Sequence, residues 1–238
     1  MLVHLRALLT NLGVAVLDCH RLWGGDVSYV VVGFYTPNYA EIAAELRRSL
    51  ETHAIPHKLY PVDMLGGTWL AQTLRKPYIV QKAFTDFPGR SVIFMDVDCT
   101  VHGDLAPLVS QPCDAALRFR KGATSTQVVV FHRTPAAEAL LECWRSKCDA
   151  AIEAIMAQRR IRSPWKRSLG VSNDEHLLQH ALIETPVMIR VLPKDCFGLV
   201  THESAHDRLQ PDTMALKLKR FRRQLKAPLV RWLTPDRI

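Results

Sequence analysis

Ser91-Val92-Ile93-Phe94-Met95-Asp96-Val97-Asp98 contains four consecutive apolar residues, Val92 to Met95, and ends in two carboxylates. Such a run is typical of a buried strand, and the charged end lies at its C-terminus. In open α/β sheets, ligands bind in the crevice outside the carboxyl ends of the strands. Two carboxylates one residue apart at this position can hold a hard divalent cation beside a phosphate. They can also act as nucleophile and general acid, so two chemistries are open at Asp96 and Asp98.

Apolar runs typical of strands alternate along the chain with segments of helical period. The segment 40–52, for example, places Ile42, Leu46 and Leu50 on one helix face. This alternation predicts an α/β fold in which a mixed, mostly parallel sheet is flanked by helices within a single domain. We predict strands at 27–34, 57–62, 91–95, 115–119, 127–131 and 187–192, and helices at 40–52, 77–87, 136–158 and 174–183.

The composition is that of a globular protein. The chain has 238 residues, of which 48% are hydrophobic and 23% charged, and this fits one large domain. No stretch reaches the roughly 20 apolar residues that span a bilayer, and the N-terminus has no clean signal-peptide cleavage site. None of the six cysteines forms a Cys-x-x-Cys pair. We therefore expect a soluble, cytoplasmic protein with reduced thiols.

Residues 214–238 carry most of the net charge of +8. They contain eight Lys and Arg residues against one acidic residue, Asp236, and apolar residues are interleaved among them. The pattern predicts either a terminal helix packed by one face on the domain or contact with an anionic membrane. Elements that read or stack on bases are not evident, so nucleic acid is not an expected partner. The expected organisation is an N-terminal extension at 1–26, a domain at 27–213 and the basic tail at 214–238.

The run 96–101 also fits the Asp-x-Asp-x-Thr-(Leu/Val) signature of haloacid-dehalogenase-like phosphatases. In that interpretation Asp96 attacks phosphorus and Asp98 is the general acid/base. About ninety residues of predicted βαβ structure precede the signature, whereas that family usually begins near it. No convincing acidic motif follows a later strand. The phosphatase is the alternative enzyme.

His202-Glu203-Ser204-Ala205-His206 matches the His-Glu-x-x-His signature of zinc proteases. A zinc protease needs this segment inside a helix, with a third ligand further along the chain. Here Gly198 and Pro211 lie close on either side, and no His or Glu follows His206. A protease is therefore not expected, and a single metal ligand from this segment is the better interpretation.

Two further features have a structural and a functional interpretation. Asn173, Asp174 and Glu175 stand at the start of a predicted helix, where such residues cap the helix or complement its dipole. Asp174 and Glu175 could equally bind a polyol or serve as a base. Trp69 is either a core aromatic or a platform for stacking a sugar, and the core position is the default expectation.

The order of these segments resembles that of bacterial nucleotide-diphospho-sugar glycosyltransferases of the GT-A fold. The similarity covers approximately residues 27–210. Each motif is weak alone, but their order and spacing are more specific than either rival signature. The motifs are Val30-Val31-Val32-Gly33-Phe34-Tyr35-Thr36, Gly67-Thr68-Trp69, Lys76-Pro77-Tyr78-Ile79, Val92-Ile93-Phe94-Met95-Asp96-Val97-Asp98, Ser125-Thr126-Gln127-Val128-Val129-Val130-Phe131, Asn173-Asp174-Glu175-His176-Leu177-Leu178 and His202-x-x-Ala205-x-x-Arg208.

The resemblance implies a role for each motif. The turn at 35–39 would cradle the base and ribose, and Lys76 would lie near the donor phosphates or sugar. Asp96 and Asp98 would hold Mn²⁺ or Mg²⁺ on the donor diphosphate, with His202 as a third ligand. Asp174 and Glu175 would be the catalytic residues, facing the donor sugar. The residues implied to bind the donor are Tyr35, Thr36, Tyr39, Lys76, Asp96, Ser125 and Thr126.

The expected function is therefore metal-dependent transfer of a sugar from a nucleotide diphosphate, with UDP-hexose as the expected donor. The acceptor would be a glycan or a lipid, and the tail at 214–238 favours an acceptor at the inner face of the membrane. The resemblance favours retention of the anomeric configuration. The chain departs from the pattern of related enzymes at Glu175, where those enzymes often have Gln. A sugar-nucleotide-binding protein without transfer activity is a third possibility.

Overall fold

The computed structural model describes residues 28–65, 69–120, 123–161, 173–194 and 196–202, with only the backbone at 158–161. By its internal contacts the chain divides into two units, Met1–Thr201 and His202–Ile238. The described part of the second unit is His202 alone. The predicted N-terminal extension and the predicted basic tail lie outside the described residues.

Six strands form one sheet: β1 (Tyr29–Tyr35), β2 (His57–Pro61), β3 (Ser91–Met95), β5 (Ala115–Arg120), β6 (Ala123–Phe131) and β7 (Ile189–Val191). Their order in the sheet is β2-β1-β3-β6-β5-β7. Strand β6 runs antiparallel to its neighbours β3 and β5, whereas the remaining pairs are parallel. This arrangement confirms the predicted mixed, mostly parallel sheet. A separate two-stranded sheet consists of β4 (Cys99–Val101) and β8 (Val200–His202).

Helices with buried apolar stripes accompany the sheet. The four longer helices begin and end within about three residues of the predicted bounds, because their apolar spacing is regular. The helices are α1 (Ala40–Thr52), α2 (Trp69–Thr73), α3 (Lys76–Asp86), α4 (Ala106–Val109), α5 (Pro135–Ile161) and α6 (Asp174–Glu184). The short elements α2, α4, β4 and β8 were not predicted, since segments of three to five residues are too short to show a period.

The hydrophobic core lies on both faces of the sheet. On one face, Val80 of α3, Trp144 of α5 and Leu178 of α6 are fully buried in a single cluster. On the other face, Leu46 of α1 and Leu108 of α4 belong to a second cluster. All five residues of β3 are buried, and four of them, Val92 to Met95, are apolar, as expected for a strand covered on both faces. Helices on both faces were predicted, and this burial confirms them.

Gly33 allows the ends of β1 and β3 to lie close together. A Cβ atom added at Gly33 would lie 2.5 Å from the backbone oxygen of Met95. The parallel β1–β3 register pairs Val31 with Ile93, two residues before each of these positions. The absence of a side chain thus brings the end of β1 next to the two carboxylates that follow β3.

Strand β6 is longer than predicted. The β5–β6 register shifts between Leu117 and Arg118, and the pairing resumes with Arg118 opposite Ser125. The segment 123–126 is Ala-Thr-Ser-Thr and shows no apolar alternation, so the sequence pattern did not include it. The extension carries three buried hydroxyl residues to the same sheet edge as the end of β3.

Within the described ranges, no helix combines the length and apolar character needed to cross a bilayer. The described cysteines that form no disulfide are Cys99, Cys113, Cys143, Cys148 and Cys196.

Candidate active site

The turn that carries the two carboxylates is fixed by backbone hydrogen bonds. The N–H of Asp96 donates to the oxygen of Gln127 on β6 at 2.9 Å. The N–H of Cys99 donates to the oxygen of Asp96 at 3.1 Å, which closes the turn around Asp98. The carboxylates therefore stand at the carboxyl edge of the parallel strands, as predicted.

A buried ammonium group lies at the centre of the site. Lys76 Nζ is 3.0 Å from Asp96 Oδ1 and 3.0 Å from Asp174 Oδ2. It also donates to Thr126 Oγ1 at 3.0 Å, and Thr126 Oγ1 in turn donates to Asp174 Oδ2 at 2.5 Å. Lys76 is 4% exposed and Asp174 is 3% exposed. The structure thus brings together four predicted site residues that lie up to 98 positions apart, between 76 and 174.

Each side chain of this cluster is positioned by the start of a helix or the edge of the sheet. Lys76 is the first residue of α3, whose first turn contains Pro77. Asp174 is the first residue of α6, and Asn173 caps that helix by accepting the N–H of His176 at 3.0 Å. Trp144 Nε1 donates to the backbone oxygen of Asp174 at 3.2 Å. The predicted capping role of Asn173 is confirmed.

The pKa values of Lys76 and Asp96 are raised in this cluster, and that of Asp174 is lowered. Burial opposes the charge of Lys76, but the carboxylates of Asp174 and Asp96 outweigh burial and raise the Lys76 pKa. Burial raises the pKa of Asp96 to about 6, with Asp98 and Asp174 adding to the rise and Lys76 opposing it. Burial acts to raise the pKa of Asp174, but Lys76 and the Thr126 hydroxyl lower it below its ordinary range. Asp174 is therefore a buried carboxylate held in its charged form.

Glu175 differs from Asp174 in its surroundings. It is half-buried, and burial together with the negative charge of Asp174 raises its pKa. The Thr124 hydroxyl on β6 donates to its backbone oxygen, and this fixes the start of α6 against the sheet. Of the two predicted catalytic carboxylates, Glu175 has the more accessible side chain.

The predicted nucleotide-binding turn lies at the end of β1. Thr36 Oγ1 donates to Asn38 Oδ1 at 2.6 Å, and a short 3₁₀ helix covers Pro37–Tyr39. Burial raises the pKa of the Tyr39 hydroxyl, and the negative charge of Asp98 raises it further. Tyr39 and Asp98 therefore lie within electrostatic reach of each other.

The chemistry of Asp96 and Asp98 fits a divalent cation. Their like charges act on each other and raise the pKa of Asp96, so a bound cation would relieve the repulsion. Carboxylate oxygens are the ligands that Mg²⁺ and Mn²⁺ prefer. Among the residues that the structure describes, no three His, Cys, Asp or Glu side chains form a metal-binding group. The metal site at Asp96 and Asp98 therefore stays a prediction, as does the third ligand His202, the last residue of β8.

Two residues differ from the sequence-based view of the site. The default expectation for Trp69 was wrong: it begins α2 and is 64% exposed, so it is not a core aromatic. The structure also adds Arg118 of β5, which lies within electrostatic reach of Cys99 beside the carboxylate turn. Burial raises the pKa of the Cys99 thiol, and Asp96 and Asp98 raise it further. Lys76 and Arg118 act in the opposite direction. The signal available in the sequence was a single arginine within the run Ala115–Phe119.

Comparison with known proteins gives structural neighbours and no sequence relatives. No protein-family model and no curated protein matches the chain. A solved glycosyltransferase involved in the glycosylation of the major capsid of PBCV-1 is 14% identical, with a TM-score of 0.50, over 78% of this chain and 100% of that chain. The glycosyltransferase GlyE of Streptococcus pneumoniae TIGR4 is 14% identical, with a TM-score of 0.44, over 76% of this chain and 56% of that chain.

A third neighbour is the galactosyltransferase LgtC in complex with donor and acceptor sugar analogs, which is 12% identical with a TM-score of 0.34, over 65% of this chain and 70% of that chain. This chain covers only about half of the GlyE chain. The likeness to the PBCV-1 glycosyltransferase extends over that enzyme's whole chain. The chain has a GT-A-like α/β glycosyltransferase fold.

Proposed function

We propose that this chain is a glycosyltransferase that moves a sugar from a nucleotide diphosphate donor to an acceptor hydroxyl. The observation that carries the proposal is the cluster at the carboxyl edge of the sheet. There Lys76 holds Asp96, at the end of β3, and Asp174, at the start of α6, each at 3.0 Å. This is the edge where ligands of open α/β sheets bind, and the fold is that of a glycosyltransferase.

In this proposal the donor lies along the sheet edge. The base and ribose contact the turn at 35–39, and the diphosphate lies at Asp96 and Asp98. UDP-hexose is the donor that the resemblance favours. Mn²⁺ or Mg²⁺ held by Asp98 and Asp96 would neutralise the charge that develops on the leaving diphosphate. Both oxygens of Asp96 lie within 3.1 Å of Lys76 Nζ, so Asp96 would share its carboxylate between this ammonium and the metal.

The carboxylates at the start of α6 have separate roles. Asp174 is buried and held by Lys76 and Thr126, so it acts as a positioning residue. Glu175 is the group that faces the donor sugar. The bond from the anomeric carbon to the diphosphate breaks with its electron pair on the leaving oxygen. The acceptor hydroxyl forms the new bond to the anomeric carbon, and its proton passes to that diphosphate oxygen. A carboxylate beside the anomeric carbon stabilises the positive charge there, which is compatible with retention.

The test is calorimetric titration of UDP and of GDP into the full chain, first with Mn²⁺ and then with EDTA. We expect one nucleotide to bind in the presence of metal and binding to be lost with EDTA. Asp98→Asn should abolish the metal-dependent binding. Glu153→Gln, which removes one negative charge from an exposed position of α5, is the matched control and should bind as the wild type does.

The phosphatase and the sugar-nucleotide-binding protein predict different results when the same purified protein is assayed. Failure of both nucleotides to bind under any condition would refute the transferase. Phosphate release from a small phosphoester that Asp96→Asn abolishes would then identify the phosphatase. Metal-dependent nucleotide binding without hydrolysis or transfer of any nucleotide sugar would identify the binding protein.

A further inference from the structure

The sheet order places a basic residue on the far side of the candidate site. Along the series β1-β3-β6-β5, the predicted nucleotide-binding turn follows β1 and the carboxylate turn follows β3. The start of α6 contacts β6, and Arg118 lies near the end of β5. Adjacent strands are about 4.8 Å apart, so β5 lies about 10 Å from β3. In the proposed function the nucleotide and diphosphate occupy β1 and β3, and the acceptor therefore enters on the side of β5.

Arg118 is fixed by two neutral acceptors. Its Nη1 donates to the backbone oxygen of Lys194 at 2.7 Å, and its Nη2 donates to Gln127 Oε1 at 2.8 Å. Gln127 is the same residue whose backbone oxygen accepts the N–H of Asp96. Across the described part of the chain, no carboxylate forms an ion pair with Arg118. A guanidinium has five N–H donors, so this half-buried cation is oriented and has donors left for an anion.

Ser125 supplies a second, independent observation. It lies opposite Arg118 in the β5–β6 ladder, so the two side chains lie on the same face of the sheet. Ser125 is 1% exposed, and its Oγ has no hydrogen-bond partner in the described structure. Its neighbours Thr124 and Thr126 instead donate to the first two residues of α6. A buried hydroxyl without a partner is unfavourable in the free protein, and a bound acceptor group would satisfy it.

Three basic residues lie at this end of the site: Arg118, Arg120 and Lys194. Arg120 is exposed at the end of β5, and Lys194 is exposed where its backbone oxygen meets Arg118. The described residues of β5 and β6 contain no acidic side chain, whereas Glu175 at the start of α6 is within electrostatic reach of Arg120, which lowers its pKa. Arg118 and Lys194 are therefore the cations that this end offers to a negative group.

We propose that Arg118 and Ser125 form an acceptor subsite that binds an anionic group, a phosphate or a carboxylate, carried by the acceptor. The inference rests on the proposed function, because the sheet edge becomes an acceptor side only when the donor occupies β1 and β3. Arg118 supplies the positive charge and Ser125 donates its hydroxyl. Together they make an acidic acceptor preferable to a neutral one.

The experiment measures the melting temperature of the full chain, in EDTA, with three sugars at the same millimolar concentration. The probes are glucose 1-phosphate, methyl glucuronide and the neutral methyl glucoside. We expect at least one charged sugar to raise the melting temperature by about 2–4 °C, and methyl glucoside to leave it unchanged. A response to glucose 1-phosphate alone would identify a phosphate as the group bound, and a response to methyl glucuronide alone would identify a carboxylate.

Four variants separate binding from folding. Arg118→Gln and Ser125→Ala should each lose the shift, and Arg118→Lys should keep part of it. Ser125→Ala should also raise the melting temperature of the free protein, because it removes a buried hydroxyl without a partner. A merely structural role of Ser125 would not combine higher stability with loss of the sugar effect. Arg48→Gln, which removes an exposed charge on α1, should keep the whole shift.

Two results would overturn the inference: equal shifts with charged and neutral sugars, or a full shift in both Arg118→Gln and Ser125→Ala. The nucleotide titration distinguishes this failure from failure of the proposed function. Nucleotide binding without the charged-sugar effect refutes the subsite alone. A charged-sugar effect that depends on Arg118, without binding of either nucleotide, refutes the transferase and leaves an anion site.

Discussion

Lys76→Met removes the ammonium from between Asp96 and Asp174 and keeps a long, unbranched side chain. Lys76 and Asp174 are 4% and 3% exposed, and the ammonium is 3.0 Å from each carboxylate. Removing one partner of a buried ion pair costs about 3–5 kcal/mol, because the other charge is left without compensation. We expect this loss in the free energy of unfolding at pH 8. It is a large part of the roughly 5–15 kcal/mol that stabilises a domain.

The loss should depend on pH in a defined direction. In the wild type, burial acts to raise the pKa of Asp174, but Lys76 lowers it. Without Lys76, burial and mutual repulsion raise the pKa of both Asp174 and Asp96 above the values of the unfolded chain. The folded variant then binds protons more tightly than the unfolded chain, so its stability falls as the pH rises and recovers as the pH is lowered. Each proton contributes about 1.4 kcal/mol per pH unit between the two pKa values, and we expect a recovery of about 2 kcal/mol at pH 5.

Urea unfolding followed by circular dichroism at pH 8 and pH 5 measures both effects. Lys82→Met is the matched control, because Lys82 lies on the same helix α3 with its side chain 55% exposed and its Nζ 3.4 Å from Asp86. Such a surface pair contributes about 0–1 kcal/mol. If Lys76→Met costs no more than Lys82→Met at pH 8, or costs the same at both pH values, the ammonium does not compensate buried charge and the reasoning is wrong.

Three further predictions concern the elements that position the site. Gly33→Ala should lower the free energy of unfolding by more than about 1 kcal/mol, since the added methyl group lies 2.5 Å from the Met95 backbone oxygen; urea unfolding measures it. Asn173→Ala should cost about 1 kcal/mol through loss of the α6 cap, measured in the same way. Burial, followed by the charge of Arg190, lowers the pKa of His132. The folded state therefore binds this proton less readily than the unfolded chain, so stability should fall as the pH drops below about 6.5, and His132→Gln should make that fall shallower between pH 7.5 and 5.5.

Each of these predictions has a control within the chain. Gly103→Ala should be milder than Gly33→Ala, because its Cβ meets only the Leu199 side chain, at 3.1 Å. Asn173→Asp should restore most of the stability that Asn173→Ala loses. Equal costs at the two glycines, no rescue by aspartate, or identical pH profiles for His132→Gln and the wild type would each contradict the corresponding argument.

The elements that the sequence predicted well are those with a strong local period. Helix α1 matches the predicted bounds 40–52, because Ile42, Leu46 and Leu50 repeat at helical spacing and all three are buried. Strand β3 also matches its predicted bounds, since Val92 to Met95 form an uninterrupted apolar run that ends at the two carboxylates. Strand β6 was predicted four residues too short, because its first residues satisfy side-chain hydrogen bonds to α6 rather than an apolar pattern.

The burial of Trp69 was predicted wrongly. A large aromatic side chain is usually buried, so the core was the default expectation, yet it is 64% exposed at the start of α2. Whether one aromatic residue is buried depends on what packs beside it, and in α2 the buried residues are Ala71, Gln72 and Thr73 rather than Trp69. No local pattern distinguishes the two cases.

Local sequence patterns were sufficient to predict that two carboxylates, Asp96 and Asp98, follow a buried strand and that strands and helices alternate around them. These are properties of neighbouring residues, and the periods of strands and helices express them directly. The contacts of Lys76 with Asp96 and Asp174, and the position of Arg118 opposite Ser125, became visible in the folded structure alone. Those contacts depend on the strand order and on the register shift between β5 and β6, which are set by packing of the whole sheet rather than by any single segment.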